Sequence, residues 1–582
     1  RLRLAPLAGE PQAPIRFEGA ATAGGWRLTG RFRDGQGYAV GMRVLADGAA
    51  APDGAGPDGL DVTVRRELLV LLRTVTGPGF DGPDTRLAAL PADRDRLLAA
   101  HERLHRPLIE ACALRLPGTG GLPEQGDAPE REVTSEELLA GLGSPALVRE
   151  LFAAGRYAIV SSTGELPPNL QGVWSGDHHP AWEGGYTLDG NLFTALAGLA
   201  VTGTPQLLLP FFDLLDRFRD DFADNARRLY GAGGVLLPPH LSSHGRHNHF
   251  DARWCLTFWT AGAAWAARVY AEYAEHTGDE EFRTGRAMPF LRLARDFERD
   301  FAPDGLFAPS YSPENTPAGT GSSAAVNATL DVAAARALRA DLGESADGLP
   351  GYTVAADGTL DEWLWPGLAP EHAHRHASHL FGVWYPDPAL FADPALVDAA
   401  RATVRARLAW WRDNGDEMAF GLAGLGLAAA QLGMAAECQE ILVLLSGYWR
   451  PSLVATHNRG AVFNVDICGG LPAMVVRMLL RWWPLPGRGR RLDLLPALPA
   501  GWASGELSGA SMGVVRVPRL AWSPGRIEAS LCARTDTVLR IGVPTGFAGP
   551  EPLELPAGQV VDVCLVSRKT NSHALPPPAG TP

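Results

Sequence analysis

Glu314 is the residue of this sequence whose surroundings most favour acid–base chemistry. It lies in the segment Pro-Ser-Tyr-Ser-Pro-Glu-Asn at 309–315, in which two prolines remove backbone donors and fix φ. The segment is therefore predicted to be a rigid loop and not a helix. A glutamate on a stiff loop, beside hydroxyls and an amide, can present a proton to a substrate. A solvated glutamate in a surface turn has the same local sequence, so other motifs must decide.

A second cluster combines amides with aromatic rings. It begins with Leu-Pro-Pro-Asn-Leu-Gln-Gly-Val-Trp at 166–174 and continues through Trp182 to Asp189 and Asn191. Flat aromatic faces such as that of Trp174 pack on the C–H-rich faces of pyranose rings, and amides pair with sugar hydroxyls. The cluster predicts a sugar site. The alternative is an ordinary loop in which Asp189 or Asn191 caps the next helix.

Histidines are concentrated in two short segments that hold eight of the 15 in the chain. A metal site, satisfied structural histidines and recognition of hydroxyls are three interpretations of such clusters. No carboxylate or cysteine completes a regular ligand spacing, so we expect no metal. Arg375, between two of these histidines, adds a planar donor fork suited to sugar oxygens. The eight are His240, His244, His247, His249, His372, His374, His376 and His379.

Asp466 is the remaining candidate acid. It lies in an apolar stretch that leads into the glycine pair Gly469-Gly470. A buried carboxylate without a partner is costly, so an acid in such surroundings indicates a function. The N-terminus of a predicted helix at 469–483 would partly compensate its charge.

Composition limits the classes of partner. The chain has 582 residues, 46% hydrophobic and 20% charged, with a net charge of −13 and a pI of about 5.6, which disfavours nucleic acid and anionic membranes. No apolar run reaches the ~18 residues that span a bilayer.

The six cysteines are scattered and form no CxxC pair, which is compatible with a reducing cytoplasm and with a secreted protein that needs no disulfides. We expect a cytoplasmic or secreted protein. No signal peptide is visible at the start. Because the chain is expected to begin within a domain, the sequence leaves open whether a leader precedes it.

The hydrophobic period changes along the chain and divides it into segments. Long aromatic and His-rich loops between the predicted helices, among them 255–276 and 435–446, favour an α/α barrel over a solenoid. We predict a mainly α, multidomain protein with these parts: a partial N-terminal β-sandwich at 1–88, a helical linker at 89–134, a helical barrel at 135–485, a small β-domain at 486–568 and a disordered tail at 569–582.

Taken in this order, the clusters resemble the catalytic domain of glycoside hydrolase family 95, the inverting α-L-fucosidases. The resemblance extends over about residues 92–540 and is carried by 155–157, 166–174, 309–315, 374–386 and 494–499. It implies an N-terminal β-domain, a helical linker, an (α/α)6 barrel and a C-terminal β-domain. It also implies an oligosaccharide or glycoconjugate substrate and no cofactor, and it leaves the oligomeric state open.

The resemblance also implies roles for individual residues. Glu314 matches the general acid, which protonates the leaving oxygen. Asp466 matches the general base, which activates water together with a pair of asparagines, of which Asn191 is one. In inverting enzymes the two carboxyl groups stand roughly 6.5–9.5 Å apart to make room for that water. The residues expected around the bound sugar are Arg375, His376, Trp259 and Trp174.

Two motifs depart from the family pattern. The paired asparagines, spaced N-x-N, are Asp189-Gly190-Asn191 here, and the base motif Asp-Gly-Asn-Phe-Gly is Asp-Ile-Cys-Gly-Gly from Asp466. Two aspartates beside one water would raise the pKa of one of them, or Asp189 would itself be the base.

The sequence is therefore compatible with three functions. The first is an inverting hydrolase of terminal α-L-fucosyl or α-L-galactosyl residues. The second is another (α/α)6 carbohydrate-active enzyme, such as a phosphorylase that replaces water with phosphate. The third is a catalytically impaired carbohydrate-binding protein, which the altered asparagine pair motivates.

Overall fold

The chain forms two compact units. A computed structural model describes residues 15–22, 24–33, 35–50, 55–56, 59–77, 80, 83–117, 133–176, 179–251, 255–484 and 489–567. The first unit comprises Arg1–Glu110 and Gly176–Ala181, and the second comprises Ala111–Ser175 and Trp182–Pro582. The predicted tail at 569–582 lies outside the described residues.

The first unit is built on an antiparallel sheet of five strands. Strands β1 to β4 are neighbours in sequence order, and β7 pairs with the other edge of β3 along its whole length. Trp26, Met42 and Val44 pack together as part of its core. The elements are β1 Ile15–Thr22, β2 Gly25–Phe32, β3 Gly37–Ala46, β4 Ala49–Ala50, β5 Ala55–Gly56, β6 Gly59–Leu60, β7 Leu68–Thr76, α1 Pro83–Ala88 and α2 Arg94–Glu110.

The second unit is mainly helical between residues 135 and 479. Four short strands of two or three residues lie in the loops between the helices, at 186–187, 240–241, 456–458 and 461–463. The first two pair with each other, and so do the last two. The elements are β8 Ala113–Arg115, α3 Ser135–Leu139, α4 Pro145–Ser162, β9 Tyr186–Thr187, α5 Asn191–Val201, α6 Leu209–Arg217, α7 Arg219–Tyr230, β10 His240–Leu241, α8 Gly262–Thr277, α9 Glu280–Phe282, α10 Met288–Phe301, α11 Thr329–Leu342, α12 Phe381–Trp384, α13 Pro388–Phe391, α14 Pro394–Asp413, α15 Ala419–Gln431, α16 Ala435–Ser446, β11 Thr456–Asn458, β12 Ala461–Phe463 and α17 Asp466–Leu479.

Local signals explain where several helices begin. Thr134 accepts a hydrogen bond from the backbone of Glu137, and the Glu137 side chain accepts one from the backbone of Thr134, which is a complete capping box. Ser144 caps α4, whose first residue is Pro145. Helix α15 carries no charged residue, and all of its residues are buried, as expected for a helix surrounded by other helices.

Helices α5 and α17 touch through their backbones. A Cβ atom added to Gly469 would lie 1.8 Å from the carbonyl oxygen of Ala195, and one added to Gly198 would lie 2.7 Å from the carbonyl oxygen of Gly469. Only glycine allows such an approach. The two helices are therefore held at a separation that larger residues would not permit.

The C-terminal strands form two sheets. One has the order β13-β14-β18-β19, and the other has the order β20-β17-β16-β15-β8. The residues of one hydrophobic core run from the helices into both sheets. The strands are β13 Leu480–Pro484, β14 Gly489–Leu494, β15 Gly505–Met512, β16 Val515–Ser523, β17 Arg526–Ala533, β18 Thr537–Gly542, β19 Leu553–Leu555 and β20 Val560–Val566.

One strand comes from a segment that we predicted as helical linker. Leu114 in β8 pairs with Leu507 in β15, nearly four hundred residues later. The segment 89–134 thus contributes helix α2 to the first unit and strand β8 to the second. In the described part of the chain, no helix has both the length and the apolar character that crossing a membrane requires. All six cysteines are free thiols.

Candidate active site

The loop that carries Glu314 is fixed from both sides by one buried glutamate. Ser312 donates a hydrogen bond to Glu362 Oε1 at 2.7 Å, and Asn315 Nδ2 donates one to Glu362 Oε2 at 2.8 Å. The charge of Glu362 is balanced by Arg407 Nη2, 2.6 Å from Oε2. Both ionic side chains are at most 1% exposed. The segment is a loop and not a helix, as predicted, and these hydrogen bonds tie it to a buried ion pair on both sides of Glu314.

The Glu314 carboxylate is paired with Arg375, whose Nη2 donates to Oε2. The two side chains are 19% and 12% exposed, respectively. Burial raises the pKa of Glu314, and the charge of Arg375 and its hydrogen bond oppose that rise without cancelling it. A carboxyl group whose pKa is raised keeps its proton to higher pH, which suits a proton donor.

Asp189 and His376 lie beside Glu314. One oxygen or nitrogen atom from each of the three lies within 4.8 Å of the others. Among the described residues, neither Asp189 Oδ2 nor His376 Nε2 has a hydrogen-bond partner, and both side chains are buried. Burial, and then the neighbouring charge of Glu314, raises the pKa of Asp189 well above its usual value. The structure thus places Asp189 next to the predicted acid.

The same three groups could in principle ligate a cation, since two carboxylates and an imidazole are suitable donors. Burial and the charge of Arg375 lower the pKa of His376 well below its usual value, so its ring is neutral and free to ligate. However, the Arg375 guanidinium already neutralises Glu314. The donor set alone is not an argument for a metal ion.

Asp466 belongs to a separate buried group. Asn191 Nδ2 donates to Asp466 Oδ2 at 2.7 Å, and the backbone N–H of Asp466 donates to Asn464 Oδ1 at 2.7 Å. Burial raises the pKa of Asp466, the side chains of Asn191 and Asn464 oppose that rise, and the resulting pKa is about 7. Asn191 begins helix α5 and Asp466 begins helix α17, where the helix dipole favours negative charge.

The three predicted tryptophan positions differ in exposure. Trp174 is 43% exposed, and its ring meets that of Phe463 edge-on at 5.5 Å between centroids. Trp182 is also 43% exposed, and its ring lies 4.5 Å from that of His457. Trp259 is completely buried. It does not line the cavity beside Asp189, which is formed by Asp189, Phe193, Trp265, His376, Trp384 and Phe420 among others.

Some of the features that matter most were not predicted. The Arg375–Glu314 ion pair, the Glu362–Arg407 pair that holds the acid loop, and the half-exposed ring of Trp182 on His457 all join residues that are far apart in the sequence. The sequence signals were the predicted site residues Glu314 and Arg375 and, within the amide-rich cluster, Trp182, but nothing in the sequence indicated which residues they would contact.

The site combines two groups of buried acids with amide side chains and half-exposed aromatic rings. Such a combination is typical of carbohydrate-active enzymes. The chain belongs to glycosyl hydrolase family 95, since residues 93–479 match the family model described as "Glycosyl hydrolase family 95 catalytic domain". The match covers the helical region and includes Asp189, Asn191, Glu314, Arg375, His376 and Asp466.

Two curated relatives carry fucosidase names. Alpha-L-fucosidase 2 of Arabidopsis thaliana is 28% identical over 478 residues, which cover 74% of this chain and 54% of that protein. Probable alpha-fucosidase A of Aspergillus niger is 24% identical over 495 residues, which cover 76% of this chain and 60% of that protein. The chain thus spans between half and two thirds of the length of these relatives.

A solved structure also aligns with the chain. An alpha-L-rhamnosidase of Streptomyces avermitilis, complexed with L-rhamnose, aligns with a TM-score of 0.39 and 12% identity, over 75% of this chain and 42% of that one.

Proposed function

We propose that the protein is an inverting glycoside hydrolase that releases terminal α-L-fucosyl or α-L-galactosyl residues from glycans. Membership of family 95 supports the reaction class, and the names of the two relatives support the fucosyl residue. The helices between 135 and 485 are proposed to form an (α/α)6 barrel around the site. The substrate enters as an oligosaccharide or glycoconjugate, and no cofactor takes part.

The observation that supports this proposal is that the two predicted acids, Glu314 and Asp466, have different polar partners and lie in separate groups of side chains. Glu314 is paired with Arg375 on a rigid loop, whereas Asp466 is hydrogen-bonded to Asn191 at the start of two helices. An inverting hydrolase needs one acid and one base on opposite sides of the sugar. Glu314 donates the proton to the leaving oxygen, and Asp466 takes a proton from a water that Asn191 helps to orient.

The spacing of the acids supports Asp466 over Asp189 as the base. Oxygen atoms of Glu314 and Asp189 lie within 4.8 Å of each other. That is shorter than the roughly 6.5–9.5 Å that a sugar and a water require between the two carboxyl groups. Asp189 therefore belongs to the acid's side of the site. There the charge of Glu314 raises the pKa of Asp189, so the two carboxyl groups together hold one proton to a higher pH than either would alone.

Four residues are proposed to contact the sugar or to shape its pocket. His376 offers a buried, unpartnered Nε2 to a hydroxyl, and Arg375 reaches the sugar oxygens beside Glu314. Trp174 presents part of its ring to the bound glycan. Trp259 is completely buried and is proposed to shape the pocket through the core, where its ring packs so closely on Gly262 that a Cβ added there would lie 2.7 Å from it.

The experiment is a comparison of Glu314→Gln, Asp466→Asn and wild-type protein on fucosyllactose, with the anomer of the released sugar followed by proton NMR. We expect the β-anomer to form first in the wild type and both variants to lose at least about a thousandfold in rate. Release at the wild-type rate by either variant would refute the mechanism. Turnover that depends on phosphate would indicate a phosphorylase, and binding without turnover would indicate an impaired enzyme.

A further inference from the structure

Glu314 and Arg375, which form the ion pair at the proposed acid, lie on two different loops. Glu314 belongs to the loop at 309–315, and Arg375 lies in the irregular segment before the 3-10 turn Ser378–Leu380. Neither residue is part of a helix or a strand. The separation of the two charged groups therefore depends on what holds one loop to the other.

Two hydrogen bonds join these loops directly. The hydroxyl of Ser312 lies 2.9 Å from that of Ser378, and Asn315 Nδ2 donates to the backbone carbonyl of Glu371 at 2.9 Å. On each loop, one of these bonds lies before the ionised residue and the other lies after it. Ser312 and Ser378 are both buried, so water does not compete for the bond between their hydroxyls.

The buried ion pair of Glu362 and Arg407 links the same two loops a second time. Glu362 accepts two hydrogen bonds from the acid's loop and a third from Arg407 Nη2. Arg407 Nη1 donates to the backbone carbonyl of His374 at 3.2 Å, and His374 directly precedes Arg375. A guanidinium is a planar fork whose nitrogens have a fixed separation. The Arg407 side chain therefore ties the glutamate that holds one loop to the backbone of the other.

Both members of this pair are connected to helices. Arg407 lies within α14, and the backbone carbonyl of Glu362 accepts a hydrogen bond at 3.0 Å from the N–H of Thr329, the first residue of α11. Because both side chains are buried, a break in the pair would leave an unpaired charge in the core. The two loops thus take their relative position from the helices as well as from each other.

We propose that Glu362 and Arg407 are positioning residues of the reaction, which hold the loops of Glu314 and Arg375 at the separation that their contact requires. They act through Glu314, and neither touches the substrate in this scheme. The inference rests on the proposed function, because it takes Glu314 as the acid. It assigns to the buried pair a part in catalysis beyond its contribution to stability.

The position of Arg375 determines the direction in which the acid responds. Burial raises the pKa of Glu314, whereas the charge of Arg375 and its hydrogen bond lower it. The other ionisable groups that act there are Asp189 and His376 beside it and Glu417, whose charge raises the pKa of Glu314. If the loops separate while these groups stay in place, the pKa of Glu314 rises. The acid then keeps its proton, and the enzyme its activity, to a higher pH.

The test uses two variants that leave the charges of the site unchanged. Ser312→Ala removes the hydroxyl that bonds to Glu362 and Ser378. Arg407→Lys keeps the positive charge, but its single nitrogen cannot replace the two that bond to Glu362 and His374. For each variant we expect kcat/KM on fucosyllactose to fall by about 10- to 100-fold. The alkaline limb of the pH profile should move up by about half a unit to one unit.

The matched control is Ser446→Ala. Ser446 is as completely buried as Ser312, and its hydroxyl donates to the carbonyl of Leu442 at 2.7 Å and accepts from the N–H of Gly143 at 3.3 Å. In urea unfolding this variant should lose about as much stability as Ser312→Ala, yet it should keep the wild-type rate and pH profile. A further measurement adds Ser312→Ala to Glu314→Gln. With the acid already removed, the rate should change by less than about twofold.

Two kinds of failure can be told apart. An alkaline limb that does not move up in Ser312→Ala, at any level of activity, would leave the pair a structural role only and overturn this inference, while the hydrolase proposal stands. So would a loss from Ser312→Ala in the Glu314→Gln background as large as in the wild type. Ser312→Ala decides alone if Arg407→Lys does not fold. Wild-type turnover by Glu314→Gln would overturn the proposed function and this inference with it.

Discussion

Replacing Asp189 with asparagine is the change that best separates its two possible roles. The substitution keeps the size of the side chain and removes the carboxylate that lies within 4.8 Å of Glu314. Two carboxylates this close resist ionising together, so the pair keeps one proton to a higher pH than Glu314 alone would. Glu314 acts as an acid only while it is protonated. The Asp189→Asn variant should therefore lose activity at a lower pH than the wild type does.

The size of the shift follows from the distance. Two unit charges at 4.8 Å, the upper limit of this separation, repel by about 3.5 kcal/mol at an effective dielectric constant of about 20. Since one pKa unit corresponds to about 1.4 kcal/mol, full repulsion equals about 2.5 pH units. Arg375 weakens this repulsion, because it pairs with Glu314 and its charge also lowers the pKa of Asp189. We therefore expect the alkaline limb of the pH profile to move down by about one to two units.

The assay is kcat/KM for hydrolysis of fucosyllactose between acidic and alkaline pH. The matched control is Asp398→Asn, because the Asp398 side chain is 75% exposed and pairs only with Arg401 among the ion pairs of the described residues. Its profile should coincide with that of the wild type. An unmoved alkaline limb in Asp189→Asn would refute the proposed coupling. Complete loss of activity in Asp189→Asn, with activity kept in Asp466→Asn, would show that Asp189 is the base.

Three further changes test other parts of the site. Asn191→Ala removes a hydrogen bond that lowers the pKa of Asp466, so that pKa should rise from about 7, and the acidic limb of kcat/KM should move up by about one pH unit. Arg407→Ala leaves the fully buried Glu362 without its ion partner, and urea unfolding should show a loss of about 3–5 kcal/mol. Gly469→Ala forces helices α5 and α17 apart, and the same measurement should show a loss of roughly 1–3 kcal/mol or more.

Each of these changes has its own check. Arg412→Ala, at a surface pair with Glu440 whose arginine side chain is 56% exposed, should cost less than about 1 kcal/mol. Gly501→Ala, with nothing within 4 Å of the added Cβ, should change stability by less than about 0.5 kcal/mol. Losses as small as these in Arg407→Ala or Gly469→Ala would contradict the packing argument. An acidic limb that stays in place in Asn191→Ala would contradict the hydrogen-bond argument.

Features with local causes could be predicted from the sequence. The capping box at Thr134 is present in the structure, because its two hydrogen bonds join residues only three positions apart. Helix α16 has the predicted bounds of 435 and 446. The loop around Glu314 is irregular, as its two prolines require. These signals are contained in a few neighbouring residues.

Features that depend on distant residues could not be predicted in the same way. Helix α8 was predicted from 255 but begins at Gly262, after a 3-10 turn at Leu256–Phe258 that buries Trp259 behind it. Strand β8 is too short to be recognised without its partner in β15. Arg375 was predicted to face sugar oxygens, and its pairing with Glu314 depends on a contact across 61 residues. Tertiary packing decides all three.

The backbone contact between α5 and α17 has a consequence for how this site can change. Asn191 and Asp466 are the first residues of the two helices, and glycine at 198 and 469 sets the distance between the helix axes. The proposed water-activating pair is thus anchored where two helices meet backbone to backbone. Trp182 and Trp174 lie outside the long helices, in connecting segments. Under the proposed mechanism, insertions and substitutions in those segments would alter the surface that meets the glycan while the pair stays in register, so glycan selection and water activation would be able to change separately.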